Sequence, residues 1–84
     1  MKLYAGIDLH ANNSVVVVID EEDHLPYQKR LRNELGELRA AVARYRESVQ
    51  GVVVESTYHW YWLVDGLRAA GYRVHLANTT ASEQ

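Results

Sequence analysis

Apolar positions fall first into short continuous runs and then into helical spacing. Leu3 to Leu9 is an apolar run with an acid, Asp8, at its end, and it reads as a buried strand. Ser14 to Asp20 contains Val15, Val16, Val17, Val18 and Ile19 in succession. Side chains branched at Cβ suit the pleated surface of a strand. Asp20-Glu21-Glu22-Asp23 is a solvated turn, and His24 to Leu31 continues as a weaker third strand. Pro26 has no N–H to give to a ladder, so that strand belongs at a sheet edge.

From residue 33 the period lengthens. Asn33 is the expected N-cap of a helix whose apolar positions are Leu35, Leu38, Val42 and Tyr45. Gly36 weakens this helix without forbidding it. Gly51 to Glu55 is again strand-like and again ends at an acid. Ser56 or Thr57 is expected to cap a second helix with a buried stripe of Trp60, Leu63, Val64, Leu67 and Ala70. Gly71 stands where a left-handed residue ends such a helix. Tyr72 to Ala77 is the last strand, and Asn78 to Gln84 is a polar tail resembling a frayed or cut end.

Connection rules turn this string into a topology. Short links make the first three strands an antiparallel meander. Helical crossovers to the fourth and fifth strands are right-handed in about 98% of cases. With the fourth strand beside the first, the sheet order is 3-2-1-4-5, an α/β architecture with both helices on one face. The first and fourth strands read as apolar on both sides, as doubly covered strands do. The second face therefore calls for a cover from outside these residues, or from self-association.

Composition narrows the classes. The chain has 84 residues, room for one domain spanning 1–84. The formal charge of -2 argues against a broadly basic nucleic-acid surface. It leaves a nuclease open, because bound metal ions offset clustered carboxylates. With no cysteine, disulfides and thiolate metal sites are excluded. No apolar run nears the ~20 residues needed to span a membrane, and Met1 to Asp8 is no signal peptide. A cytoplasmic location follows as the default.

The chemistry concentrates in two acids. Asp8 closes the first strand and Glu55 the fourth, and in the expected order these strands are parallel neighbours about 4.8 Å apart. Their carboxyl ends meet where open α/β sheets build their sites. Paired carboxylates there suit a hard cation such as Mg²⁺. Two such ions ~3.5–4 Å apart can activate an attacking oxygen and stabilise a leaving one in phosphodiester chemistry. Taken singly, each acid also has a structural explanation. Asp8 can cap a turn toward Asn12 and Asn13, and Glu55 can favour a helix N-terminus.

The segments Tyr4-Ala5-Gly6-Ile7-Asp8-Leu9-His10 and Val52-Val53-Val54-Glu55-Ser56-Thr57-Tyr58 resemble the first two motifs of the insertion-sequence 110 family of transposases. Tyr58 to Leu63 and Gly71 to Val74 extend the likeness over essentially the whole chain. The resemblance implies an RNase H-like (RuvC-like) nuclease domain with an Asp-Glu-Asp-Asp set, Asp8 matching the first acid and Glu55 the second. It implies that the two further aspartates, and a second domain with a nucleophilic serine, lie beyond residue 84. It implies a metal-dependent DNA transposase or recombinase with endonuclease chemistry, using Mg²⁺ or Mn²⁺ and acting at the prokaryotic nucleoid. Its partners are DNA, a guide-type non-coding RNA and the remainder of the chain. Ala11 stands where many members have lysine, which removes a phosphate contact. With half of the set, residues 1–84 alone are expected to be inactive.

The remaining candidates are nucleic-acid contacts. His10 lies two residues past Asp8, within reach of a phosphate or simply in a turn. Tyr58 and Trp62, four apart, can stack on bases or pack inside the protein. Trp60 and Tyr61 fall on or beside the core stripe. Lys29, Arg30 and Arg32 form a basic edge that can hold phosphates or block sheet-to-sheet pairing. His24, His59 and His75 have no ligand spacing and read as structural or exposed. A non-catalytic nucleic-acid-binding module is the alternative from another class. The start of an actin-like ATPase or sugar kinase is a further one, although Ala11-Asn12-Asn13-Ser14 lacks the glycine such a phosphate loop wants.

Overall fold

Seven elements form in a computed structural model that describes residues 2–56 and 59–77. They are β1 (Leu3–Leu9), β2 (Asn13–Asp20), β3 (Tyr27–Arg32), α1 (Leu35–Ala43), β4 (Val49–Glu55), α2 (Tyr61–Ala69) and β5 (Val74–Ala77). The five strands make one sheet in the order β3-β2-β1-β4-β5. β1 is antiparallel to β2, and β2 to β3. β1 is parallel to β4, and β4 to β5. The order expected from the connection rules is the order observed.

Strand alternation divides the residues between two faces. One face carries Ala5, Ile7, Val16, Val18, Val52 and Val54, all buried, and α1 and α2 cover it with Leu38, Val42, Leu63, Val64 and Leu67. The other carries Tyr4, Gly6 and Asp8 of β1, Val15, Val17 and Ile19 of β2, and Val53 and Glu55 of β4. Among the described residues no helix covers it, and Tyr4 and Val53 are exposed large apolar side chains. Apolar character on both sides is therefore clearest in β2. In β1 and β4 the second face mixes apolar, glycine and acidic positions.

The edges of several elements differ from the sequence expectation, each for a local reason. β3 begins at Tyr27, directly after Pro26. The helix before β4 is capped by Glu34, whose carboxylate accepts the N–H groups of Gly36 and Glu37. Asn33 instead bonds backward to the sheet. α2 starts at Tyr61 with Trp60 in the capping position and no side-chain cap. Ser56 is buried and its N–H bonds the Ala77 carbonyl, so it continues the sheet rather than capping α2. Thr57 lies outside the described residues. Tyr61 is exposed beside the core stripe, and β5 is two residues shorter at its start than expected.

Close approaches fix the helical layer. A Cβ on Gly66 would fall 2.6 Å from Leu35 Cδ2, so glycine lets α2 press against the start of α1. Gly71 has φ +96 and a Cβ there would meet Arg46 Nη2 at 2.8 Å. The left-handed turn that ends α2 thus needs glycine both for backbone and for space. Arg46 donates from Nη2 to the Ala70 carbonyl at 2.6 Å and sits 4.7 Å over the Tyr72 ring. At the opposite edge, Arg44 lies over Tyr27 and ties β3 to the end of α1.

The β2–β3 turn is organised by one buried acid. Asp20 Oδ1 accepts the N–H groups of Glu22 at 2.8 Å and His24 at 3.0 Å, and Oδ2 lies 3.0 Å from His24 Nδ1. Asp23 takes φ 64, a left-handed conformation that aspartate tolerates. Desolvation pushes the Asp20 carboxyl up, but the bonds from the His24 and Glu22 backbones and from the His24 ring outweigh it, and its pKa lies below the usual carboxylate value. A carboxylate depressed by folding adds stability that is present above its unfolded pKa and lost as pH falls through the folded one. Urea midpoints measured from pH 7 to pH 2 are expected to fall below about pH 4 in the wild type. Asp20→Asn is expected to start lower at pH 7 and to lose part of that acid slope.

Candidate metal centre at the carboxyl edge of the sheet

The parallel register of β1 and β4 sets Asp8 opposite Glu55. Register partners in parallel strands point to the same side, about 4.8 Å apart at the backbone. Both acids lie on the open face, and both line one cavity of about 270 Å³ with Gly6, Ile7, Val15, Val17 and Val53. Its walls are otherwise apolar, so the two carboxylates are its charged groups. The Asp8 side chain is 53% exposed, open to solvent and to a ligand.

The row continues across the sheet. Asp8 pairs with Val15, Val15 with Arg30, and Glu55 with Ala77. Arg30 therefore shares the face of the acids, two strands away from Asp8. Its Nη1 donates to Asn13 Oδ1 at 2.7 Å, which directs the guanidinium along this edge. The basic edge read from sequence is thus divided. Lys29 pairs with Val16 and belongs to the helix-covered face, while Arg32 is engaged in an ion pair with Glu37 of α1.

His10 is brought to the acids. Its Nε2 lies 3.1 Å from Asp8 Oδ2, and both side chains are more than half exposed. Backbone and side-chain bonds hold the turn that carries it. His10 N donates to Asn13 O at 3.0 Å, and Asn33 Nδ2 donates to His10 O at 2.6 Å. Asn33 Oδ1 in turn accepts from Ser14 Oγ, and Ser14 is fully buried. Sequence reasoning missed this chain of bonds. Asn33 before a helix looks like a cap, and nothing local reveals that it reaches back to residues 10 and 14.

Trp62 is half-buried and packs against the core beside a second cavity, while Tyr58 lies outside the described residues. His24 belongs to the Asp20 turn and His75 is exposed on β5. His59 is exposed, with its ring against Tyr61.

The donor set fits a hard divalent cation. Two carboxylates offer oxygen ligands, and Mg²⁺ keeps several waters, so it does not need a full protein cage. Among the described residues Glu55 has no side-chain hydrogen bond or ion pair to compete with a metal. Also among the described residues, no group of three or more His, Cys, Asp or Glu side chains is clustered to hold a metal ion.

The fold is that of RNase H-like nucleases. A solved structure of T. thermophilus RuvC in complex with Holliday junction substrate superposes with a TM-score of 0.66 at 16% identity. The match covers 93% of this chain and 65% of that one, so the chain spans under two thirds of the length of this relative. The family model for the Asp-Glu-Asp-Asp transposases of insertion sequence 110, described as Transposase, matches residues 5–84, and the chain belongs to that family. No curated protein matches the chain by sequence. The family gives the actin-like alternative no support. Among the described residues no helix is long and apolar enough to cross a membrane.

The Ser14–Asn33–His10 chain yields a direct test. Ser14→Ala leaves Asn33 Oδ1 without its buried donor, which costs about 1–3 kcal/mol. Urea denaturation is expected to show a loss in that range, and adding Asn33→Ala is expected to cost only the further Asn33–His10 bond, about 0.5–1.5 kcal/mol.

Proposed function

We propose that the chain supplies two metal-ligating acids, Asp8 and Glu55, to the nuclease centre of a DNA transposase. The observation that carries this reading is the register pairing of the two acids on one open sheet face, in a chain of the transposase family. A divalent cation bound there, Mg²⁺ or Mn²⁺ and two ions in the complete centre, would supply Lewis-acid stabilisation of phosphodiester cleavage and strand transfer. The remaining ligands come from outside the described residues, and two carboxylates alone would hold the ion weakly. DNA is the substrate, by analogy with the junction-bound RuvC structure.

The chain's own residues have distinct tasks in this reading. Asp8 and Glu55 concentrate negative charge at one point on an otherwise apolar floor. His10, whose Nε2 lies 3.1 Å from Asp8 Oδ2, orients that carboxylate. Arg30, in the same row and on the same face, takes a backbone phosphate of the passing strand. Lys29 and Arg32 are directed elsewhere and make weaker candidates. The rest of the transposase, or a second copy, covers the apolar stretch of Val15, Val17, Ile19 and Val53. A guide-type RNA and nucleoid association enter only through the family.

Nicking of supercoiled DNA in Mg²⁺ by the full-length protein tests the proposal. Asp8→Ala and Glu55→Ala are each expected to lower cleavage by about 10³-fold or more while DNA affinity stays within a few-fold. Arg30→Ala is expected to weaken binding and to reduce the slope of log affinity against log salt by about one. Cleavage that survives both acid replacements would support the non-catalytic binding module instead.

A further inference from the structure

A second cavity, of about 470 Å³, opens beside the acid pair and is walled by Leu9, His10, Ala11, Asn33, His59 and Trp62. These residues come from the end of β1, the β3–α1 link, the approach to α2 and its first turn. The cavity thus lies in the crevice outside the carboxyl ends of the strands, where open α/β sheets take ligands. Its size is within the ~300–1,000 Å³ typical of small-molecule sites.

We propose that this cavity receives one unpaired nucleobase of the strand bound at Asp8 and Glu55. The inference deepens the nuclease reading and rests on it. Three features of the walls select a base. Among the described residues no lysine or arginine lines the cavity, so a phosphate finds no countercharge from them. Trp62 lines the cavity, and its packing against the core holds the indole in place before a base arrives. His10 Nε2 is engaged with Asp8 and His59 Nδ1 faces Tyr61 Oη at 3.5 Å, which leaves one further ring nitrogen on each imidazole for a base edge. Asn33 fixes the floor, because its amide bonds the His10 carbonyl and the Ser14 hydroxyl. His10 is common to both places. Its ring touches Asp8 and its residue lines the cavity, so a base seated here lies next to a phosphate at the acids.

The test uses the full-length protein and single-stranded DNA in Ca²⁺, which permits binding without cleavage. An abasic site is moved one nucleotide at a time along the strand. At one position it is expected to weaken binding about tenfold. His59→Ala and Trp62→Leu are each expected to bind intact DNA more weakly and to lose that position-specific penalty. A purely structural role would lower affinity equally at all positions. His59 is exposed, so its variant keeps the test decisive if Trp62→Leu unfolds. A flat abasic profile, or a penalty that persists in both variants, overturns the proposal. Cleavage by Asp8→Asn separates the two claims. Full cleavage by that variant defeats the nuclease reading, whereas a flat profile in an enzyme that Asp8→Asn inactivates defeats the base pocket alone.

Discussion

The parallel pairing of β1 with β4 is the constraint on which the site depends. Because side chains alternate along a strand, a slip of one residue would turn Glu55 to the helix-covered face and bring Ser56 opposite Asp8. The register is held by burial. Ile7 and Val54, and Ala5 and Val52, are partners on the helix side and are all buried. Moving them would expose the core. The same burial that stabilises the sheet therefore sets the two carboxylates side by side on its other face.

The two faces divide the labour. The helix side is closed by Leu38, Val42, Leu63, Val64 and Leu67 and is the source of stability. The open side is apolar at Val15, Val17 and Val53 and acidic at Asp8 and Glu55. In the proposed centre, an apolar floor beneath the two acids would strengthen their attraction to a cation. Asn33 ties the loops at the carboxyl edge to buried Ser14.

The strands and their order were legible because they follow from long-range rules. Two apolar runs ending in acids, a valine run and a proline-marked edge leave few sheets to choose from. The acid pair was legible for the same reason. Details set by tertiary contacts were not. Asn33 has the chemistry of a cap, but Glu34 caps α1 and Asn33 joins the sheet. Ser56 has it too, but its N–H bonds the Ala77 carbonyl and prolongs the ladder just past β4. Lys29, Arg30 and Arg32 looked like one patch, yet alternation and the Arg32–Glu37 pair leave Arg30 facing the site. Tyr61 was expected on or beside the core stripe, and at the first position of α2 it lies beside that stripe, exposed. His59 carries no spacing signal, because its neighbours in the cavity come from three other segments.

The shared-cation claim is tested most directly by Mn²⁺ binding to the full-length protein, followed by electron paramagnetic resonance, in a cycle of Asp8→Asn, Glu55→Gln and the double variant. If both carboxylates hold one ion, each single replacement weakens binding at least about tenfold and the double adds little beyond the worse of the two. Losses that simply add, or binding untouched by either replacement, would contradict the account.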